Sequence, residues 1–176
     1  LSQLEAGIEP DFEWTDLSML VRSCIQGFSA RVQTKRILVE VFADDDLPEI
    51  FGDVGQINQV LVNILGNAIS YTPDNGRITV TVETNVNQHG SALTVRIADN
   101  GVGIVVDELD KLFDRFYRGS AARKTHSPGT GLGLAICREI MERHNGGVSA
   151  TSELGKGSIF TIWFPLSDLP QEEHVE

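Results

Sequence analysis

Apolar positions along this chain change period several times, and the changes mark out its elements. Leu17, Leu20, Val21, Cys24, Ile25 and Phe28 recur at the spacing of one helix face, with Thr15 or Asp16 placed to cap it. Residues 37–42 are strand-like, and Asp44-Asp45-Asp46-Leu47-Pro48 breaks them. Over residues 53–71 a stripe of Ile57, Leu61 and Leu65, flanked by Val60, Ile64 and Ala68, predicts a second helix, which Pro73 ends. Strands follow at 77–83 and 92–98, joined by a polar loop holding His89 and Gly90. After Gly103 a short helix is expected near 107–116, and a third main helix over 131–144, stopped by Asn145-Gly146-Gly147. Residues 148–152 and 158–164 read as a hairpin around Gly155-Lys156-Gly157. Residues 1–7 look like the tail of a helix and 8–14, with Pro10, like a connector. Helices alternating with antiparallel strand pairs imply an α+β fold, a mixed sheet covered on one face by about three helices.

Composition narrows this little. With 176 residues, 41% of them hydrophobic and 22% charged, the chain suits one globular domain with a real core. The expected organisation is a helix end and linker at 1–14, a compact domain at 15–166 and an acidic tail at 167–176. The start at Leu1 without an initiator Met fits a piece of a longer protein. No segment reads as a signal peptide or a membrane span, because Asn63, Gly66 and Asn67 interrupt the longest apolar stretch. Cys24 and Cys137 both fall in helical patterns, show no metal spacing and suit a reducing cytoplasm.

Charge says more. A net charge of −11 opposes non-specific binding to nucleic acid or membrane surfaces. Yet five of the 14 basic residues, Lys111, Arg115, Arg118, Arg123 and Lys124, crowd into one short segment. Such a loop can draw in a small polyanion, or simply be a solvated surface.

Three clusters carry candidate chemistry. Asn63 and Asn67, four apart, share a helix face opposite Ile57, Leu61 and Leu65. Alone the pair fits a solvated face, but two amides there can also offer oxygens to Mg2+, which takes such ligands alongside water and phosphate. Asp99-Asn100-Gly101-Val102-Gly103 follows directly on a predicted strand. At Asp74-Asn75-Gly76 the same letters need no more than a hairpin turn. At Asp99 no returning strand follows. A carboxylate there, with glycines admitting a flat ring, suits adenine, whose exocyclic amine donates where guanine would present a carbonyl. Gly129-Thr130-Gly131-Leu132-Gly133-Leu134 opens the third helix, and its backbone N–H groups can cradle phosphate oxygens. It is neither a Walker A loop nor a dinucleotide fingerprint, since Leu134-Ala135 stands where Lys-Ser/Thr would and no strand directly precedes it.

In order and spacing, Asn63-Ile-Leu-Gly-Asn67-Ala-Ile-Ser-Tyr-Thr-Pro73, Asp99-Asn-Gly-Val-Gly-Ile104, Phe113-Asp-Arg-Phe-Tyr-Arg-Gly119, Gly129 to Ile136, and Gly155-Lys-Gly-Ser-Ile-Phe160 resemble the N, G1, F and G2 boxes and closing hairpin of the catalytic, ATP-binding domain of bacterial sensor histidine kinases. The resemblance covers about residues 16–166. It implies the Bergerat fold shared with gyrase, Hsp90 and MutL ATPases, a two-layer α/β sandwich with a mobile ATP lid. By the same resemblance Asn67 would be the main Mg2+ ligand, supported by Asn63. Asp99 would hold the adenine amine, with Gly101, Gly103 and Ile104 beside the ring and Tyr71 packed along it. Gly129, Thr130, Gly131, Leu132, Gly133 and Leu134 would lie against the phosphates, with Arg115, Arg118 or Lys124 reaching them from the lid. Phe113 and Phe116 would anchor that lid.

One departure stands out. The place after Asn67-Ala68-Ile69 is commonly basic in this family, and here it is Ser70, so lid arginines are expected to compensate. Relatives that hydrolyse ATP carry a Glu general base where this chain has Asn63, and an amide cannot take a proton at neutral pH. This favours phosphoryl transfer to a histidine over hydrolysis. His89, His126, His144 and His174 all lack the context of the family's accepting histidine. The acceptor is therefore expected on a dimerisation domain outside these residues, with a response-regulator receiver domain downstream and the fragment itself a monomer. The rivals are a related ATPase or serine kinase and an inactive nucleotide-binding module.

Overall fold

The computed structural model describes residues 10–87, 90–120 and 130–166. Strand β1 (Phe12–Thr15) pairs antiparallel with β3 (Ile50–Asp53), Phe12 opposite Asp53 and Thr15 opposite Ile50. The connector expected over 8–14 is thus partly strand. Four residues are too few for a readable alternation, and the partner lies far along the chain.

Helix α1 (Leu17–Gly27) starts at Asp16, whose carboxylate accepts from the Met19 N–H at 3.0 Å. A second, unforeseen helix, α2 (Ser29–Lys35), follows at once and stops at Arg36 with φ of 53°. It buries no residue, so it has no apolar stripe to betray it. Strand β2 (Leu38–Ala43) leads by a turn to β3, and α3 (Val54–Tyr71) begins where Asp53 accepts from the Gln56 N–H at 2.9 Å. Asp74-Asn75-Gly76 turns the chain from α3 into β4 (Arg77–Asn87) rather than joining two paired strands, with Asn75 at φ of 61° and its N–H bonded to the Lys35 carbonyl. The expected hairpin turn is corrected accordingly.

Strands β4 and β5 (Gly90–Asp99) form the long central hairpin. Next come α4 (Val106–Leu109), α5 (Gly133–Arg143), β6 (Gly147–Glu153) and β7 (Gly157–Pro165). The helix expected near 107–116 is therefore a single turn followed by irregular chain. Phe116 has φ of 64°, which no helix accommodates.

The main sheet runs β2-β4-β5-β7-β6, parallel only between β2 and β4. Its strands alternate. Ile78, Val80 and Val82, Leu93, Val95 and Ile97, and Phe160, Ile162 and Phe164 form a core with Leu17 and Val21 of α1, Ile57, Leu61 and Leu65 of α3 and Ile140 of α5. Thr79, Thr81, Arg96 and Thr161 fall between them on the opposite face. The fold is the expected α+β sandwich. Each core side chain contributes about 1.5–3 kcal/mol by leaving water.

His144 locks the small sheet to this core. Its Nδ1–H donates to the Ile140 carbonyl at 2.8 Å while Nε2 accepts from the Asp53 N–H at 3.0 Å. Phe12 and Phe164 meet the ring edge-on. Burial lowers its pKa, so the ring is held neutral.

Candidate functional site

A cavity of about 370 Å3 opens between α3, the end of β5, residues 102–119 and the start of α5. That size suits a small organic ligand.

At its base stands Asp99, delivered by the last residue of β5. Its Oδ1 accepts from the N–H groups of Gly101 at 2.8 Å and Ser158 at 3.3 Å. Its Oδ2 takes no hydrogen bond from the described residues. Burial raises the carboxyl pKa, and the two N–H donors oppose the rise. The flanking glycines have a backbone reason to be there. A Cβ on Gly101 would lie 2.5 Å from the Tyr71 carbonyl oxygen, and one on Gly103, at φ of 70°, would lie 2.1 Å from that of Glu153. They let the end of β5 press against α3 and the β6–β7 hairpin. Gly103, Ile104 and Tyr71 line the cavity, whereas Gly101 supports it from behind.

Along α3, Asn63 and Asn67 both face the cavity and are half-buried. Their placements differ. Asn63 donates from Nδ2 to the Gly133 carbonyl at 3.2 Å, tying α3 to α5. The Asn67 amide makes no hydrogen bond to the described residues. Burial pushes the Cys137 thiol up to about 12 and that of Cys24 up to about 11, so both are inert packing groups.

Helix α5 enters at Gly131, whose φ of 73° brings it against Phe116 and Tyr117; the Phe116 N–H donates to the Gly131 carbonyl at 2.9 Å. No side chain caps its first turn, and no acidic residue sits there. Thr130, Gly131, Gly133 and Leu134 line the cavity, and Leu132 does not. Arg118 lines it too, but Arg115 is paired with Glu139 at 2.5 Å and is absent from the lining. Of the aromatic pair expected to anchor the lid, Phe113 is buried edge-on to Phe160, while Phe116 is 73% exposed. Lys124 and Gly129 lie outside the described residues.

Two contributors escaped the sequence reading. Ser158 lends its N–H to Asp99, and its hydroxyl meets that of Ser152 at 2.9 Å; the glycines before it were the only hint. Arg31, on α2, lines the cavity and donates to the Ser70 hydroxyl at 2.9 Å, with no sequence signal at all.

No cluster of three or more His, Cys, Asp or Glu exists among the described residues. The amide oxygens of Asn63 and Asn67 are among the groups of this cavity that could hold a cation. The family described as histidine kinase-, DNA gyrase B-, and HSP90-like ATPase matches residues 52–168.

The chain belongs to that family.

Sensor histidine kinase ZraS of Escherichia coli K12 is 36% identical over 152 residues, covering 86% of this chain and 30% of the relative. The chain thus spans about a third of the curated relative it matches. Full-length ShkA in complex with AMPPNP superposes with a TM-score of 0.75 at 29% identity, covering 90% of this chain and 32% of that one. The catalytic domain of histidine kinase ThkA superposes with a TM-score of 0.75 at 28% identity, covering 88% of this chain and 97% of that one. ThkA in complex with the response regulator TrrA gives 0.73 at 27% identity, covering 92% and 44%. Within this family the chain is similar to the histidine kinases.

Proposed function

We propose that this domain binds ATP with Mg2+ and donates the γ-phosphate to a histidine on a dimerisation domain, from which a response-regulator aspartate receives it. One observation carries the reading. The Asp99 Oδ2 and the Asn67 amide, neither spent on a hydrogen bond to the described residues, border one cavity beside an uncapped helix start.

Asp99 would accept the adenine amine, and Tyr71 would pack along the ring. Asn67, with Asn63, would hold Mg2+, which when bound neutralises phosphate charge. The first-turn N–H groups of α5, near Thr130, Gly131 and Gly133, would meet phosphate oxygens, with Arg118 nearby. Asn63 cannot serve as a general base, and its Nδ2 is already committed to α5. Water is thus not activated by this chain at that place, whereas an imidazole acceptor needs only positioning and charge neutralisation. The similarity to ThkA and ShkA supports the same reading, and we propose with it that the fragment is cytoplasmic and monomeric.

The decisive experiment mixes the domain with γ-labelled ATP, Mg2+ and the helical-hairpin fragment of its parent protein. Label on the fragment's histidine is the expected result. Tight ATP binding without transfer would leave an inactive nucleotide-binding module instead.

A further inference from the structure

We infer that Arg31, from α2, supplies to the nucleotide's phosphate chain the positive charge that α3 lacks at Ser70, an inference that rests on the ATP reading above. The two residues are 39 apart in sequence, yet Arg31 Nη2 donates to Ser70 Oγ at 2.9 Å. Ser70 Oγ in turn donates to the Gly66 carbonyl at 2.7 Å, so both capacities of the hydroxyl are used within the protein. It acts as a bracket for the guanidinium. Phe28 forms the other half of that bracket, its ring centroid 5.6 Å from the Arg31 guanidinium carbon. The same ring packs over Gly66, where an added Cβ would stand 3.6 Å from it.

Helix α2 is also clamped in place. Lys35, one turn beyond Arg31 on the same face, donates to the carbonyls of Ile69, Ser70 and Thr72, closing the C-terminal end of α3. Burial lowers the Lys35 pKa, with the Asp74 charge opposing the drop and the Arg31 charge adding to it. The two cations of this face thus divide the work. Lys35 fastens α2 to α3, and Arg31 lines the cavity beside Asn67 and Tyr71. Arg31 forms no ion pair with a described carboxylate. In a chain of net charge −11, whose cavity already includes Asp99 and Glu108, a placed guanidinium unmatched by a carboxylate suits an anionic ligand. Its planar fork matches phosphate oxygens.

The test measures affinity rather than turnover. Dissociation constants for ATP with Mg2+ and for adenosine are compared by titration calorimetry or NMR, at low and high salt. Arg31→Ala is expected to weaken ATP about three- to tenfold at low salt, less at high salt because Arg31 is exposed, and to leave adenosine unchanged. Adding Ser70→Lys to Arg31→Ala, which returns a cation from α3, should restore most of the ATP affinity. Unchanged ATP affinity in Arg31→Ala, or an equal loss for adenosine, would overturn the assignment. If the wild-type chain binds neither ligand, the nucleotide reading itself fails and takes this inference with it.

Discussion

Helices α3 and α5 border the same cavity, yet they begin in opposite ways. The first turn of α3 is closed by Asp53, whose Oδ1 takes the Gln56 N–H while Oδ2 takes that of Asp11. The first turn of α5 has no side-chain cap and begins two residues after a glycine at φ of 73°. The two carboxylates nearby divide in the same way. Both Asp53 oxygens are consumed by the fold, whereas Asp99 commits only Oδ1. A helix start satisfied from within holds the protein together. One left open, with a partly unspent carboxylate across the cavity, is fitted to a ligand.

Asp99→Asn should break the comparison most visibly. The amide keeps Oδ1 for Gly101 and Ser158 but puts a donor where adenine also donates. A charged hydrogen bond of about 1.5–3 kcal/mol is lost, so ATP affinity should fall about ten- to 150-fold by calorimetry. The melting temperature should hold or rise, since a buried charge is removed. Undiminished affinity would sink the adenine assignment.

Gly103→Ala comes next and acts on the fold. The new Cβ would meet the Glu153 carbonyl, at a φ unfavourable to alanine, costing about 2–3 kcal/mol in urea unfolding. An unchanged midpoint would show that the β5–hairpin contact yields easily.

Asp53→Ala sharpens the contrast between the two helix starts. Stability should drop by about 1–2 kcal/mol, while ATP affinity of the folded protein stays within about twofold. A large affinity loss with little loss of stability would mean that the α3 start serves the ligand after all.

The smallest effect is the pH dependence of His144. Its folded pKa lies below the ordinary value of about 6.5, so below that pH the unfolded chain binds more protons. Its contribution is therefore fully present above about pH 6.5 and is lost as pH falls toward the folded pKa. Asp99 has the opposite sign. Its raised folded pKa lowers stability as pH rises from about 4 through that value. Chemical denaturation across pH should show a shallower decline on acidification in His144→Gln than in the wild type.

Much of this was legible in the residues. Helix periodicity marked α1, α3 and α5 to within a few positions, because each has a buried stripe, and alternation marked β4, β5 and β7. Asp99 could be singled out because a carboxylate and two glycines at a strand end are unusual together. By contrast, β1 and α2 were illegible, one too short and the other without an apolar face. Phe113 and Phe116 look equivalent as letters, and only the left-handed backbone at Phe116 separates them.

The sequence by itself determined the layers, the order of the motifs and the chemical types of most of the side chains facing the cavity, since these follow from local period and residue chemistry. Tertiary structure alone decided which of those groups are still available. It spent Asn63 Nδ2 on α5 and left the Asn67 amide open, turned Arg115 to Glu139, and brought Arg31 to Ser70. Such choices depend on contacts between elements far apart in the chain, and no local pattern encodes them.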